Sequence, residues 1–145
     1  MIRGNLLDLN VLIALTDETH QHHRQAKKWM RALAGERWGV CPLTESGYLR
    51  ITTNPLMHSG NRTLTNSLAV LQDLIDQPGY SYWPITESWA VLTAPFAARI
   101  TGHQQVTDAY LLGLAVKENG VLVTFDRGLK YLAGPEFRDN LLILE

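Results

Sequence analysis

The run Val121-Leu122-Val123-Thr124 restricts the fold more than any other part of the chain. It is β-branched and apolar without alternation, the pattern of a central parallel strand buried on both faces. Parallel neighbours need crossover connections, usually helices, so this strand calls for an α/β chain. Other segments supply its partners. Leu6-Leu7 reads as a short buried strand, Trp38-Gly39-Val40 as a second, Tyr80 to Ile85 as an aromatic strand and Leu141 to Leu144 as a closing one.

Helical spacing fills the intervals. Val11 to Leu15 follows a turn that carries Asp8 and Asn10. From His20 to Ala34, the residues Ala26, Trp29, Met30 and Leu33 recur at three- and four-residue spacing, and Gly35 ends the helix. Pro42 leads into a helix from about Leu43 to Thr52, closed by Asn54-Pro55. Leu64, Leu68, Leu71, Leu74 and Ile75 mark another, which stops at Gln77-Pro78-Gly79. Trp89, Leu92, Phe96 and Ile100 suggest a helix interrupted near Pro95, where a backbone hydrogen bond is lost. Thr107 is placed to cap a helix whose Leu111, Leu112, Ala115 and Val116 repeat until Asn119-Gly120. The expectation is an α/β sandwich with a mostly parallel sheet, without internal repeats, as one domain over residues 1–145.

Charge and cysteine content exclude several classes. Thirteen Lys or Arg stand against 14 Asp or Glu, a net charge of −1, which removes a uniformly basic polyanion binder and leaves room for a basic patch. The 46% hydrophobic and 19% charged residues are those of a globular chain and not of a disordered one. Cys41 is the single cysteine, so an intrachain disulfide and a cysteine zinc cluster are both out of reach, and a metal would be held by oxygen or histidine. No apolar run approaches the ~20 residues of a membrane span. Met1-Ile2-Arg3-Gly4-Asn5 lacks a signal-peptide layout, so the expected location is the cytoplasm, with no membrane partner.

In parallel α/β sheets, ligands bind beyond the carboxyl ends of the strands. Asp8 and Asp126 each follow a strand, and Glu45 and Asp108 each fall in the first turn of a helix. Four carboxylates distant in sequence can thus meet at one sheet edge. Neighbouring carboxylates raise one another's pKa and resist sharing a site, an objection that a divalent cation with oxygen ligands removes. Each acid also has a plain structural use. First-turn acids such as Glu45 and Asp108 gain about 0.3–1 kcal/mol from the helix dipole alone. Asp126 could serve its turn or pair with Arg127, whereas Asp8, wedged between apolar runs, is costly to bury without a partner.

Four segments in order, Leu7-Asp8-Leu9-Asn10-Val11-Leu12-Ile13, Leu43-Thr44-Glu45-Ser46, Val106-Thr107-Asp108-Ala109 and Val123-Thr124-Phe125-Asp126, resemble the PIN-domain family. Within it they are most similar to the VapC-like toxins of toxin–antitoxin systems, over essentially Asn5 to Leu144. The resemblance implies a three-layer α/β/α sandwich and Mg²⁺- or Mn²⁺-dependent endoribonuclease activity that leaves a 5′-phosphate and a 3′-hydroxyl. It assigns Asp8, Glu45 and Asp108 to the three family acids and Asp126 to a fourth, more variable one. Asp8, Asp108 and Asp126 would hold metal, with Glu45 as a further ligand, direct or through water, or as a general base. Asn10 would orient Asp8 or a metal-bound water, and Thr124 is the small hydroxyl residue near the fourth acid. Leu9 is apolar where many relatives have Thr or another residue. A cognate antitoxin inserting into the site groove and a homodimer are implied in the same way.

An acidic site repels RNA, so positive charge must come from its surroundings. The polar face of the His20–Ala34 helix carries Arg24, Lys27, Lys28 and Arg31, and Arg50 and Arg127 lie nearer the acids. The same helix face has a plain reading as a solvated surface. His22 and His23 are adjacent and cannot share one helix face, which argues against a metal site with His20. Trp29, Trp38, Trp83 and Trp89 read as core or dimer contacts. Three rivals remain in view: a catalytically silent module that binds antitoxin or RNA, a PIN nuclease of RNA maturation, and a phosphotransfer domain. The last needs a second acid beside or two places after Asp8, where Leu9 and Asn10 stand.

Overall fold

The computed structural model describes residues 4–145. Met1, Ile2 and Arg3 lie outside the described residues, and with them most of the N-terminal segment read above. The order is β1 (Asn5–Leu7), α1 (Leu9–Thr16), α2 (His23–Ala32), β2 (Trp38–Gly39), α3 (Pro42–Thr52), α4 (Leu64–Ile75) and α5 (Trp89–Leu92). Two 3₁₀ segments, Ala94–Arg99 and His103–Gln105, lead to α6 (Val106–Lys117), β3 (Val121–Thr124) and α7 (Leu129–Ala133). A 3₁₀ turn at Arg138–Asn140 then enters β4 (Leu141–Ile143).

The strands form one parallel sheet in the order β2-β1-β3-β4. Leu6 pairs with Leu122 and Leu7 with Val123, and because side chains alternate along a strand, each pair faces one side of the sheet. Leu6 and Leu122 join Ala109, Tyr110, Leu112 and Leu114 of α6 in one core. Leu7 and Val123 join Val11, Leu12 and Leu15 of α1, Tyr48 of α3 and Leu71 of α4 in the other. Helices therefore cover both faces, as the unalternating Val121–Thr124 run requires. Each fully buried leucine contributes about 1.5–3 kcal/mol relative to exposure, so the two cores fix the register of β1 against β3.

Several boundaries differ from the sequence reading. Tyr80 to Ile85 forms no ladder strand. It makes a single parallel bridge, Tyr80 to Trp38, supported by Ser81 N–H donating to Trp38 O at 2.7 Å and Trp83 N–H to Val40 O at 3.1 Å. Pro84, without an N–H, cannot extend the pairing. Gly39 permits this close approach, since a Cβ there would lie 1.7 Å from Ser81 O. Thr107 does not cap α6: the 3₁₀ turn His103–Gln105 runs directly into the helix and places Gln105 at its N-cap. The basic helix begins at His23, because residues 17–22 form turns, and ends at Ala32 before Ala34 and Gly35 take positive φ. Asn10 lies inside the first turn of α1 and Asp8 is its N-cap, so no separate turn parts them. Pro95 behaves as expected: α5 stops at Leu92 and the chain continues as a 3₁₀ helix with the proline in its first turn.

Candidate active site

From β1 the chain crosses to β2 on one side, while β3 and β4 lie on the other, so a topological switch point falls between β1 and β3. Such a point opens a crevice at the carboxyl ends of the strands. Asp8 directly follows β1, and Asp126 stands two residues beyond the end of β3. Asp108 lies in the first turn of α6, which packs under both strands.

Asp8 is held from two directions. Its Oδ1 accepts the Leu9 N–H at 2.7 Å as the N-cap of α1, and its Oδ2 accepts the Thr124 hydroxyl at 2.8 Å. Its backbone N–H donates to Val123 O at 2.9 Å, which carries the β1–β3 pairing one residue past the strand. Only 7% of the residue is exposed. Burial raises its pKa, the bonds from Thr124 and Leu9 oppose that rise, and the Asp126 charge adds to it.

Thr124 is fully buried and uses its whole hydrogen-bonding capacity. Its hydroxyl donates to Asp8 and accepts from Asn10 Nδ2 at 3.2 Å and from the Asp126 N–H at 3.0 Å. The amide oxygen of Asn10 accepts the Phe125 N–H at 3.2 Å. Asn10 thus reaches Asp8 through Thr124 and not directly. Asp126 closes its own turn, with Oδ1 accepting the Gly128 N–H at 2.8 Å, and its side chain is exposed.

Asp108 completes a group of three. Burial first, then the charges of Asp8 and Asp126, push its carboxyl up to about 7. Among the described residues no Lys or Arg forms an ion pair with any of the three aspartates. Glu45 lies in the first turn of α3, which is tied to β1 by Thr44 Oγ1 donating to Leu7 O at 3.5 Å. Burial raises its pKa, and its charge acts on Tyr80 and Tyr82. The Tyr80 hydroxyl is buried without a hydrogen-bond partner among the described residues, and burial together with Glu45 pushes it up to about 12.

The remaining candidates lie on other elements. Arg24, Lys27, Lys28 and Arg31 lie along α2, Arg50 is exposed in the last turn of α3, and Arg127 is exposed beside Asp126. Trp38 and Trp83 are core residues, Trp29 is half-buried, and Trp89 is exposed and packs at 4.1 Å on Tyr110. His20, His22 and His23 form no metal-binding group. Among the described residues no three His, Cys, Asp or Glu side chains stand as a ready ligand set.

The three aspartates nevertheless carry the oxygen donors that a hard divalent cation takes. Mg²⁺ prefers one or two carboxylates and keeps much of its water shell, so a complete protein cage is not needed. The mutual repulsion that raises Asp108 is what such a cation relieves. Sequence spacing did not reveal Tyr80 and Tyr82 facing Glu45, or His22 stacking on Phe125 at 4.6 Å, since both contacts depend on how loops pack.

The sequence matches the PIN domain family over residues 6–135. It is 36% identical over 124 residues to Ribonuclease VapC39 of Mycobacterium tuberculosis, with 86% of this chain and 89% of that protein covered. Ribonuclease VapC38 of the same organism is 38% identical over 128 residues, covering 88% and 89%. Among solved structures, VapBC2 from Rickettsia felis bound to a promoter DNA fragment superposes with a TM-score of 0.70 over 100% of both chains, at 13% identity. VapBC-1 from nontypeable Haemophilus influenzae gives 0.59 at 17% identity, covering 99% and 96%. With the parallel sheet, the crevice at its switch point and these relatives together, the chain belongs to the PIN-domain family.

Proposed function

We propose that this protein is a ribonuclease, the toxin of a toxin–antitoxin pair, which hydrolyses RNA within the chain at the crevice between β1 and β3. The observation that carries the reading is the meeting of Asp8, Asp108 and Asp126, from three separate elements, without a basic partner among the described residues. Relatives named as VapC ribonucleases support the substrate class, and the likeness to VapBC structures supports a cognate antitoxin as partner. A homodimer, a cytoplasmic location and a single domain over the chain belong to the same reading. No helix among the described residues is long and apolar enough to cross a membrane.

Asp8, Asp108 and Asp126 would hold Mg²⁺ or Mn²⁺, with water completing the oxygen shell. When bound, that ion would polarise the phosphate as a Lewis acid and lower the pKa of a water, so that hydroxide is available to attack. Thr124 keeps Asp8 Oδ2 in a fixed direction by donating to it, and Asn10 holds Thr124. Glu45, whose pKa burial raises, is suited to take a proton from the attacking water. Arg127, Arg50 and the basic face of α2 offset the charge of the RNA backbone.

Purified protein with Mg²⁺ or Mn²⁺ should cut RNA, EDTA should stop it, and Asp108→Asn should remove cleavage while the fold survives. Full cleavage by a folded Asp108→Asn protein, or in excess EDTA, would overturn this mechanism.

A further inference from the structure

Next to the three aspartates an aromatic run leads away from the crevice. Phe125, fixed between Thr124 and Asp126 with its N–H on Asn10, stacks on His22 at 4.6 Å with the rings 16° from parallel. His22 in turn meets His20 at 5.8 Å and 47°. His20 is one wall of a cleft of about 450 Å³ whose other walls include Glu18, Gln21, Arg24 and Gln25.

The loop that carries this run is fixed by its own hydrogen bonds. Asp17 accepts from Thr19 N–H at 2.9 Å, from the Thr19 hydroxyl at 2.7 Å and from the Ser59 hydroxyl. His20 N–H donates to Asp17 O at 3.0 Å, and His20 Nδ1 accepts the His22 N–H at 3.0 Å. Nδ1 of His23 lies 2.6 Å from Ala14 O, which pins the start of α2 to the end of α1. Burial and the neighbouring His22 lower the pKa of His20, which favours its neutral form. The side chains of Arg24 and Gln25 make no hydrogen bond to another described residue, which leaves a guanidinium and an amide free at the cleft.

An aromatic face, two side-chain amides, a carboxylate and a free guanidinium are the groups that hold a nucleotide: a face for the base, hydrogen-bonding groups for its edge and a cation for its phosphate. We propose that the cleft at His20 is a nucleobase subsite, in which a base flanking the scissile phosphate stacks at the outer end of the His20–His22–Phe125 run. It rests on the ribonuclease reading and deepens it: the α1–α2 loop, and not the acidic crevice, selects where the strand is cut. Gln21, Gln25 and Glu18 face the base edge, and Arg24 neutralises the adjoining phosphate.

Cleavage of a random-sequence RNA pool with Mn²⁺, followed by steady-state kinetics and sequencing of the cut ends, tests this. His20→Ala should raise KM roughly tenfold, the usual effect of losing one base stack, with kcat little changed. It should also flatten the base preference at one flanking position. His20→Phe should restore both, because it restores the face, whereas His20→Asn, which keeps an acceptor for the His22 N–H, should not. Rescue by His20→Asn alone would assign His20 to holding the loop and overturn the subsite, as would an unchanged KM in His20→Ala. Should that variant fail to fold, Gln25→Ala and Arg24→Ala carry the same measurement, and an unaltered cut-site profile in both would overturn it too. If the wild-type protein cuts no RNA in the pool, the ribonuclease reading falls and the subsite with it; cleavage without any effect of these variants removes the subsite alone.

Discussion

The Thr124 hydroxyl donates to Asp8 Oδ2 at 2.8 Å, joining the end of β3 to the end of β1 across 116 residues of sequence. The same oxygen accepts from Asn10 and from the Asp126 N–H, so one buried atom sets the relative positions of three residues at the crevice. Thr124→Val keeps the shape and removes all three bonds. Unpaired buried groups cost about 1–3 kcal/mol, and at about 2–4 °C per kcal/mol for a chain of this size the melting temperature should fall by several degrees. RNA cleavage should drop with it, and Thr124→Ser should recover most of both. A Thr124→Val protein with wild-type melting and cleavage would show that the hydroxyl is dispensable.

Asp108 gives the apoprotein a pH dependence of known sign. Its folded pKa, about 7, lies above the ordinary 3.8, so the stability it contributes is complete below pH 3.8 and is lost as pH rises through 7. In EDTA, Asp108→Asn should therefore melt higher than wild type at pH values above 7 and close to it in acid. Thermal melts across that range are the check, and equal melting temperatures on the alkaline side would contradict the burial and repulsion assigned to this carboxylate. Added Mn²⁺ should stabilise the wild type more than the variant, since the ion favours the charged form.

The basic face of α2 is tested by salt. Lys27→Gln with Lys28→Gln should weaken RNA binding and lower the slope of log K against log salt by about 0.7 for each phosphate no longer neutralised. Fluorescence anisotropy of a labelled RNA at several salt concentrations measures this. An unaltered slope would place the RNA elsewhere.

Packing of α5 on α6 depends on Gly113. A Cβ there would lie 2.1 Å from the Leu92 backbone oxygen, and a backbone atom cannot swing aside as a side-chain tip can. Gly113→Ala should cost about 1–3 kcal/mol despite the better helix propensity of alanine. Urea denaturation should show the midpoint falling, and a rise would mean that the two helices can separate freely.

Much of the fold was legible in local chemistry. The unalternating Val121–Thr124 run required a sheet covered on both faces, and Leu6-Leu7, placed in register with Leu122-Val123, supplies both cores. Pro95 announced the break between α5 and the following 3₁₀ helix. Tyr80 to Ile85 misled, because its β-forming residues identify an extended chain, while membership in a ladder depends on N–H groups that Pro84 cannot offer. Thr107 misled for a similar reason: its capping capacity was real, but the preceding 3₁₀ turn had already opened the helix.

By itself the sequence determined most of the elements, the sheet's parallel character and the placing of Asp8, Asp108 and Asp126 at strand ends and helix starts, since each follows from periodicity and local hydrogen-bonding needs. Tertiary structure alone decided what those residues meet. It brought three aspartates into electrostatic contact, turned Glu45 toward Tyr80 and Tyr82, and made Thr124 the tie between Asp8, Asn10 and Asp126. It also laid His22 on Phe125. Charge repulsion, burial and ring stacking act through space over a few ångströms, and long separations along the chain carry no trace of them.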